Sequence, residues 1–152
     1  MRAKDTNRLT QMYSSGSVGS IKREHDGKIL LVSSNEHSRE GIASILRFYR
    51  FEVIQTGNGF QSLNLLENSL EADVRISLVL VGPDTLLMSP EEVIALIRTK
   101  YKKEELPVLR LFNPDDFNDE DADRALSVGA NTIVTALLPP GKIVERIQEL
   151  IK

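Results

Sequence analysis

The sequence predicts a doubly wound α/β domain over residues 27–152, with five parallel strands alternating with five helices. Three observations carry this. Short continuous apolar runs, Ile29-Leu30-Leu31-Val32 and the run from Ile76 to Val81, are those of strands covered on both faces. Between such runs, apolar residues recur at helical spacing. Gly57-Asn58-Gly59, Pro83, Gly129 and Pro139-Pro140-Gly141 stand at the junctions of these segments. Alternation of this kind implies right-handed crossovers and helices on both faces of one sheet.

The elements follow in order. Ile29 to Val32 is the first strand, and Ser33 to Ser38 a polar loop. Ile42, Ile45, Leu46 and Tyr49 form the stripe of the first helix. Val53-Ile54 marks a second strand, Gly57-Asn58-Gly59 a turn, and Leu63, Leu66 and Leu70 a second helix. Ile76 to Val81 is the strongest buried-strand signal, broken by Pro83. Ser89-Pro90-Glu91-Glu92 starts a helix: Ser caps, Pro fits the first turn, and the acids meet the positive end of the dipole. Val93, Ile94, Ile97 and Tyr101 continue it. Pro107 opens a fourth strand through Phe112. The acidic stretch Asp115 to Asp123 leads into a helix with Ala122, Ala125 and Leu126 on its apolar side, ended by Gly129. Thr132 to Thr135 is β-branched and reads as the fifth strand. Pro139-Pro140-Gly141 precedes a last helix bearing Ile143, Ile147 and Leu150.

Composition narrows the function. With no cysteine, the chain has no disulfide, no thiolate metal site and no cysteine nucleophile. No apolar run approaches a membrane span, and the first residues lack the apolar core of a signal peptide, so a cytoplasmic protein is expected. A net charge of -3 argues against a nucleic-acid binder, which shows a basic face. Residues 1–26 carry Arg2, Lys4, Arg8, Lys22 and Arg23 against Asp5, Glu24 and Asp26, a balance of +2, leaving -5 on the remainder. They also contain Ser14-Ser15-Gly16-Ser17-Val18-Gly19-Ser20, which has almost nothing to bury. A flexible N-terminal tail is expected there, either a plain extension or a basic docking arm.

Several fragments stand in a recognisable order. They are Lys28-Ile29-Leu30-Leu31-Val32 with Arg39-Glu40 after the loop, Phe51-Glu52-Val53-Ile54 with Gly59-Phe60-Gln61-Ser62-Leu63, Leu106-Pro107-Val108-Leu109, and Gly129-Ala130-Asn131. Through them, residues 28–152 resemble the receiver domain of bacterial response regulators. The resemblance implies a flavodoxin-like (βα)5 fold with strand order 2-1-3-4-5. It also implies a partner surface on the fourth helix, fifth strand and fifth helix, about residues 108–150.

The family's chemistry needs two acids after the first strand for Mg²⁺, an acceptor aspartate after the third, a Ser or Thr after the fourth, and a Lys-Pro pair after the fifth. Phosphoryl transfer is mainly positioning and charge neutralisation, and Mg²⁺ takes hard oxygen ligands. Here the acid pair aligns with Ser33 and Ser34, and the acceptor position with Gly82. The hydroxyl position aligns with Phe112, Lys-Pro with Ala136-Leu137, and the aromatic switch position with Ile133. A glycine offers no oxygen, two serines hold Mg²⁺ poorly, and an alanine neutralises nothing. The resemblance is thus to a degenerate pseudo-receiver: not an enzyme, without cofactor, acting on another signalling protein or on a second copy. Phe112 is expected to fill the vacated site and hold it in one state. Arg110, Lys142, Glu145 and Arg146 are candidate partner-surface residues.

Other readings stand beside this one. Asp84, just past Gly82, is an alternative phosphoacceptor, with Glu36 as its acid. The loop Ser33 to Ser38 joins strand to helix where such folds bind anions, but serines there also cap helices, and capping is favoured. His25 and His37 are the only histidines, too few for a histidine-based zinc site. Asp115, Asp116, Asp119, Glu120, Asp121 and Asp123 lack the glycine and terminal glutamate of an EF-hand loop and read as a solvated helix start. Arg110 interrupts an interior strand, on the face of Val108 and Phe112. A buried Arg needs a partner, so it is expected to pair with a carboxylate under the fourth helix or to snorkel outward.

Overall fold

The computed structural model describes residues 27–151, and the expected N-terminal tail lies outside them. The order is β1 (Gly27–Val32), α1 (Glu36–Phe48), β2 (Phe51–Thr56), α2 (Gly59–Glu71), β3 (Leu78–Val81), α3 (Pro90–Arg98), β4 (Val108–Phe112), a 3-10 turn (Pro114–Asp116), α4 (Asp119–Val128), β5 (Thr132–Thr135) and α5 (Pro140–Ile151). All four strand pairings are parallel, and the sheet runs β2-β1-β3-β4-β5. This is the doubly wound arrangement the alternation predicts.

Period-2 alternation splits the core into two layers. Leu30, Val32, Val79, Val81, Val108 and Phe112 point to the side covered by α2, α3 and α4. Ile29, Leu31, Leu78, Leu80, Leu109 and Leu111 point to the side covered by α1 and α5. Both layers are apolar along Ile29–Val32 of β1 and throughout β3, which is why those stretches read as unbroken hydrophobic runs.

Local chemistry sets the helix ends. Ser89 and Glu92 form a reciprocal capping box on α3, with Pro90 as the first helical residue. Gly129 ends α4 at φ 122°, a left-handed conformation that a side chain resists. Two boundaries differ from expectation. β3 starts at Leu78, because Val74 N still donates to Ser69 O and the chain is leaving α2; Ile76 packs in the core ahead of the strand. Pro140 and Gly141 belong to α5 and do not merely precede it, since a first-turn proline loses no helical hydrogen bond. Among the described residues no helix is long and apolar enough to cross a membrane.

Candidate functional site

Ligands of open α/β sheets sit at the carboxyl ends of the strands. Here those ends meet at Ser33, Gly82, Phe112 and Ala136. Parallel pairing aligns Val32 with Val81, so Ser33 and Gly82 leave adjacent strands side by side. Gly82 N donates to Val32 O at 2.8 Å and Ser33 N to Thr56 O at 2.9 Å, so both are held as strand continuations. A Cβ at Gly82 would lie 2.6 Å from Ser33 Oγ and 2.7 Å from Ser33 Cβ. Gly82, which the resemblance aligns with the acceptor position, is thus a glycine against which the Ser33 side chain closes. Ser34 N donates to Asp84 O at 2.8 Å, which ties the β3–α3 loop across the top.

Arg110 occupies the next layer. It is 5% exposed. Its Nε donates to Glu91 Oε2 at 3.0 Å, and its Nη1 donates to Gly82 O at 3.0 Å and Leu111 O at 2.7 Å. The guanidinium carbon lies 4.0 Å above the Phe112 ring centroid. Phe112 is buried, edge-on to Phe117 at 5.3 Å. Burial pulls the Arg110 pKa below its ordinary value, while Glu91 foremost, then Asp84 and Asp121, favour the cation.

These contacts correct two expectations about Arg110. It is not part of an exposed partner surface, and its carboxylate comes from the start of α3 and not from beneath α4. The reason is directional: Arg110 pairs in register with Val81, so its side chain rises toward the β3–α3 connection. The group that reaches Gly82 is thus Arg110, with the Phe112 ring behind it.

The remaining residues are placed plainly. The α1 cap is Asn35, not Ser33 or Ser34: its Oδ1 accepts from Ser38 N at 2.9 Å. Asp84 is exposed; Ile133 is half-buried and pairs in register with Arg110. Ala136 is exposed, and its N donates to Phe112 O at 3.0 Å. On α5, Lys142 and Glu145 are ion-paired at 3.5 Å, and both are exposed together with Arg146. Ser33 is buried against Gly82, no acid replaces it or Ser34, and among the described residues no three metal-ligating side chains converge.

Two participants escaped the sequence reading. Glu91 reads as a dipole-favoured residue of a helix start, and nothing local marks it as the Arg110 partner. Arg39 donates from Nη1 to Ser33 O at 2.7 Å and from Nε to Gln55 Oε1 at 3.1 Å, holding the first loop from outside. An Arg directly after a polar loop carries no signal of that role.

No protein-family model and no curated protein matches the chain. Solved structures do. A probable two-component system response regulator/GGDEF domain protein superposes with TM-score 0.73 at 21% identity, over 84% of this chain and 50% of that one. The chain thus spans about half the length of that protein. The BeF3-activated N-terminal receiver domain of Klebsiella pneumoniae RstA gives 0.72 at 17% identity, over 82% and 98%. The chemotaxis response regulator CheY4 of Vibrio cholerae gives 0.68 at 18%, over 82% and 98%. With its strand order, this likeness establishes the fold of the chain as the flavodoxin-like (βα)5 receiver fold.

Proposed function

We propose that the chain is a phosphorylation-independent signalling domain that acts by binding another protein and carries out no reaction. One observation carries the reading. The position that would hold the acceptor carboxylate is Gly82, enclosed by Ser33 on one side and bonded through its carbonyl to Arg110 on the other. Arg110, the buried cation beside this position, is already engaged by Glu91 and by two carbonyls. Ala136 supplies no replacement.

In this reading the Arg110–Glu91 pair takes over from a phosphorylation-dependent switch. It joins the end of β3, the start of α3 and β4, and so fixes the neighbouring α4-β5-α5 side in one state. That side, with Lys142, Glu145 and Arg146 on α5, meets the signalling partner.

The test is intact mass and thermal stability with acetyl phosphate, with and without Mg²⁺. The expected result is no mass increase and no Mg²⁺-dependent shift. A phosphorylated species that disappears in Asp84→Asn would replace this reading with phosphorylation at Asp84.

A further inference from the structure

An apolar groove runs between α2 and α3. Near the carboxyl ends of the strands it is a hollow of about 470 Å³, lined by Phe60, Leu87 and Leu96, which are 55%, 71% and 42% exposed. Through Leu96 it meets a second hollow of about 130 Å³, and through Leu66 and Tyr101 a third of about 250 Å³ that exposed Leu70 also lines. A contiguous apolar surface of this kind marks an interaction site.

The place where the chain enters the domain points to one occupant. β1 begins at Gly27, at the amino end of the sheet. Ser77 N donates to Lys28 O at 2.8 Å, and a Cβ at Gly27 would lie 3.0 Å from Ser77 Oγ. Ile76, next to Ser77, lines the third hollow together with Leu106, which precedes β4. The groove thus opens beside the point where residues 1–26 join the domain. Another hollow, of about 280 Å³, lies between α1 and α5. Its walls Pro83, Asn113 and Ala136 follow β3, β4 and β5, so it stands at the opposite end of the sheet from Gly27.

Charge makes the same choice. No charged residue lines the α1–α5 hollow. The α2–α3 groove carries Glu67, Glu92 and Glu105 against Arg75 and Lys100, and Lys100 is held by Glu67 at 3.4 Å. Residues 1–13 carry Arg2, Lys4 and Arg8 against Asp5, a balance of +2. They also hold Leu9, Met12 and Tyr13 at i, i+3 and i+4, a spacing that gathers three apolar side chains on one face of a helical turn. Val18 and Ile21 follow, nearer to Gly27.

We propose that segment 8–21 of the same chain docks in the α2–α3 groove. Ile21 enters the hollow beside Ile76, and Leu9, Met12 and Tyr13 fill the hollow of Phe60 and Leu96, with Arg8 next to Glu92. Ser14 to Ser17, which have little bulk, cross the small middle hollow. The span allows this. From Phe60 to Leu70, α2 rises about 15 Å, and residues 14–26 extend over as much as about 45 Å. Docking there leaves the α4-β5-α5 side uncovered.

Paramagnetic labelling of the full chain tests this. The chain has no cysteine, so Thr10→Cys gives a single site for a nitroxide. The label is expected to weaken the amide resonances of α2 and α3, those of Phe60 and Leu96 foremost, and to leave those of Ala136 and Ile143 unchanged. Leu9→Ser with Met12→Ser in the labelled chain restores the lost intensity. Neither substitution touches the described core, and unshifted resonances of β1 and β3 show that the fold is kept. When labelled chain is mixed with unlabelled, isotope-enriched chain, the enriched chain loses no intensity. Four results overturn the proposal: no loss in α2 and α3, which leaves the groove to another protein; loss centred on the α1–α5 hollow; loss that survives the double substitution; and loss in the mixed sample, which assigns the groove to a second copy.

Discussion

Ser33 and Gly82 are in van der Waals contact through the space that a side chain at position 82 would need. An added Cβ would meet Ser33 Oγ at 2.6 Å and Ser33 Cβ at 2.7 Å. Gly82→Asp therefore does not rebuild an acceptor. It overpacks a closed site and destabilises the fold by about 1–3 kcal/mol. Ser33→Gly in the same chain recovers most of that loss, because it removes the colliding atoms. Urea unfolding of the two singles and the double measures the recovery; additive losses would show that the contact is not the cause.

Arg110 and Glu91 are coupled. Both are largely buried, at 3.0 Å. Glu91→Ala leaves the guanidinium without its carboxylate and costs roughly 3 kcal/mol. The double variant Arg110→Met, Glu91→Leu costs less than the sum of the singles, since no charge is then stranded. A double-mutant cycle by chemical denaturation reads the difference.

Glu40 carries a small acid-side dependence. Hydrogen bonds from Gln55 and then Arg47 hold its carboxyl below the ordinary value of 4.5. A depressed folded pKa means that its contribution is complete above 4.5 and is lost as pH falls through the lowered folded value. The stability gap between wild type and Glu40→Gln accordingly narrows on acidification from neutral pH. Melting curves of both proteins across that range follow it, and a gap that widens contradicts the assignment.

Gly129 answers to two constraints. Its φ of 122° disfavours a side chain, and a Cβ there would lie 2.5 Å from Arg98 Cγ. Arg98 is committed: it donates to Gly129 O, Leu106 O and Asn131 Oδ1, joining α3 to the approach of β5. Gly129→Ala costs about 2 kcal/mol or more. Arg98→Met, which loses all of those bonds, costs at least as much as one buried hydrogen bond, about 1 kcal/mol.

What the sequence by itself determined is local or periodic. The run Ile29–Val32, the run Ile76–Val81 apart from its start, the Ser89 helix cap, the Gly129 helix end and the alternation of strands with helices all follow from residues close together in the chain. Burial on two faces and hydrogen bonds within one turn leave their mark there. Tertiary structure decided the rest. Glu91 becomes the partner of Arg110, 19 residues on, because parallel register sets Arg110 beside Val81 under the start of α3. Asn35 takes the α1 cap from the serines because Ser33 is held as an extension of β1 by its bond to Thr56. Leu86 and Leu87 stand exposed in the β3–α3 connection, where the β2–α2 turn bonds to Leu86. Contacts between segments distant in sequence are set by how the crossovers return the chain to the sheet, and no local pattern encodes that distance.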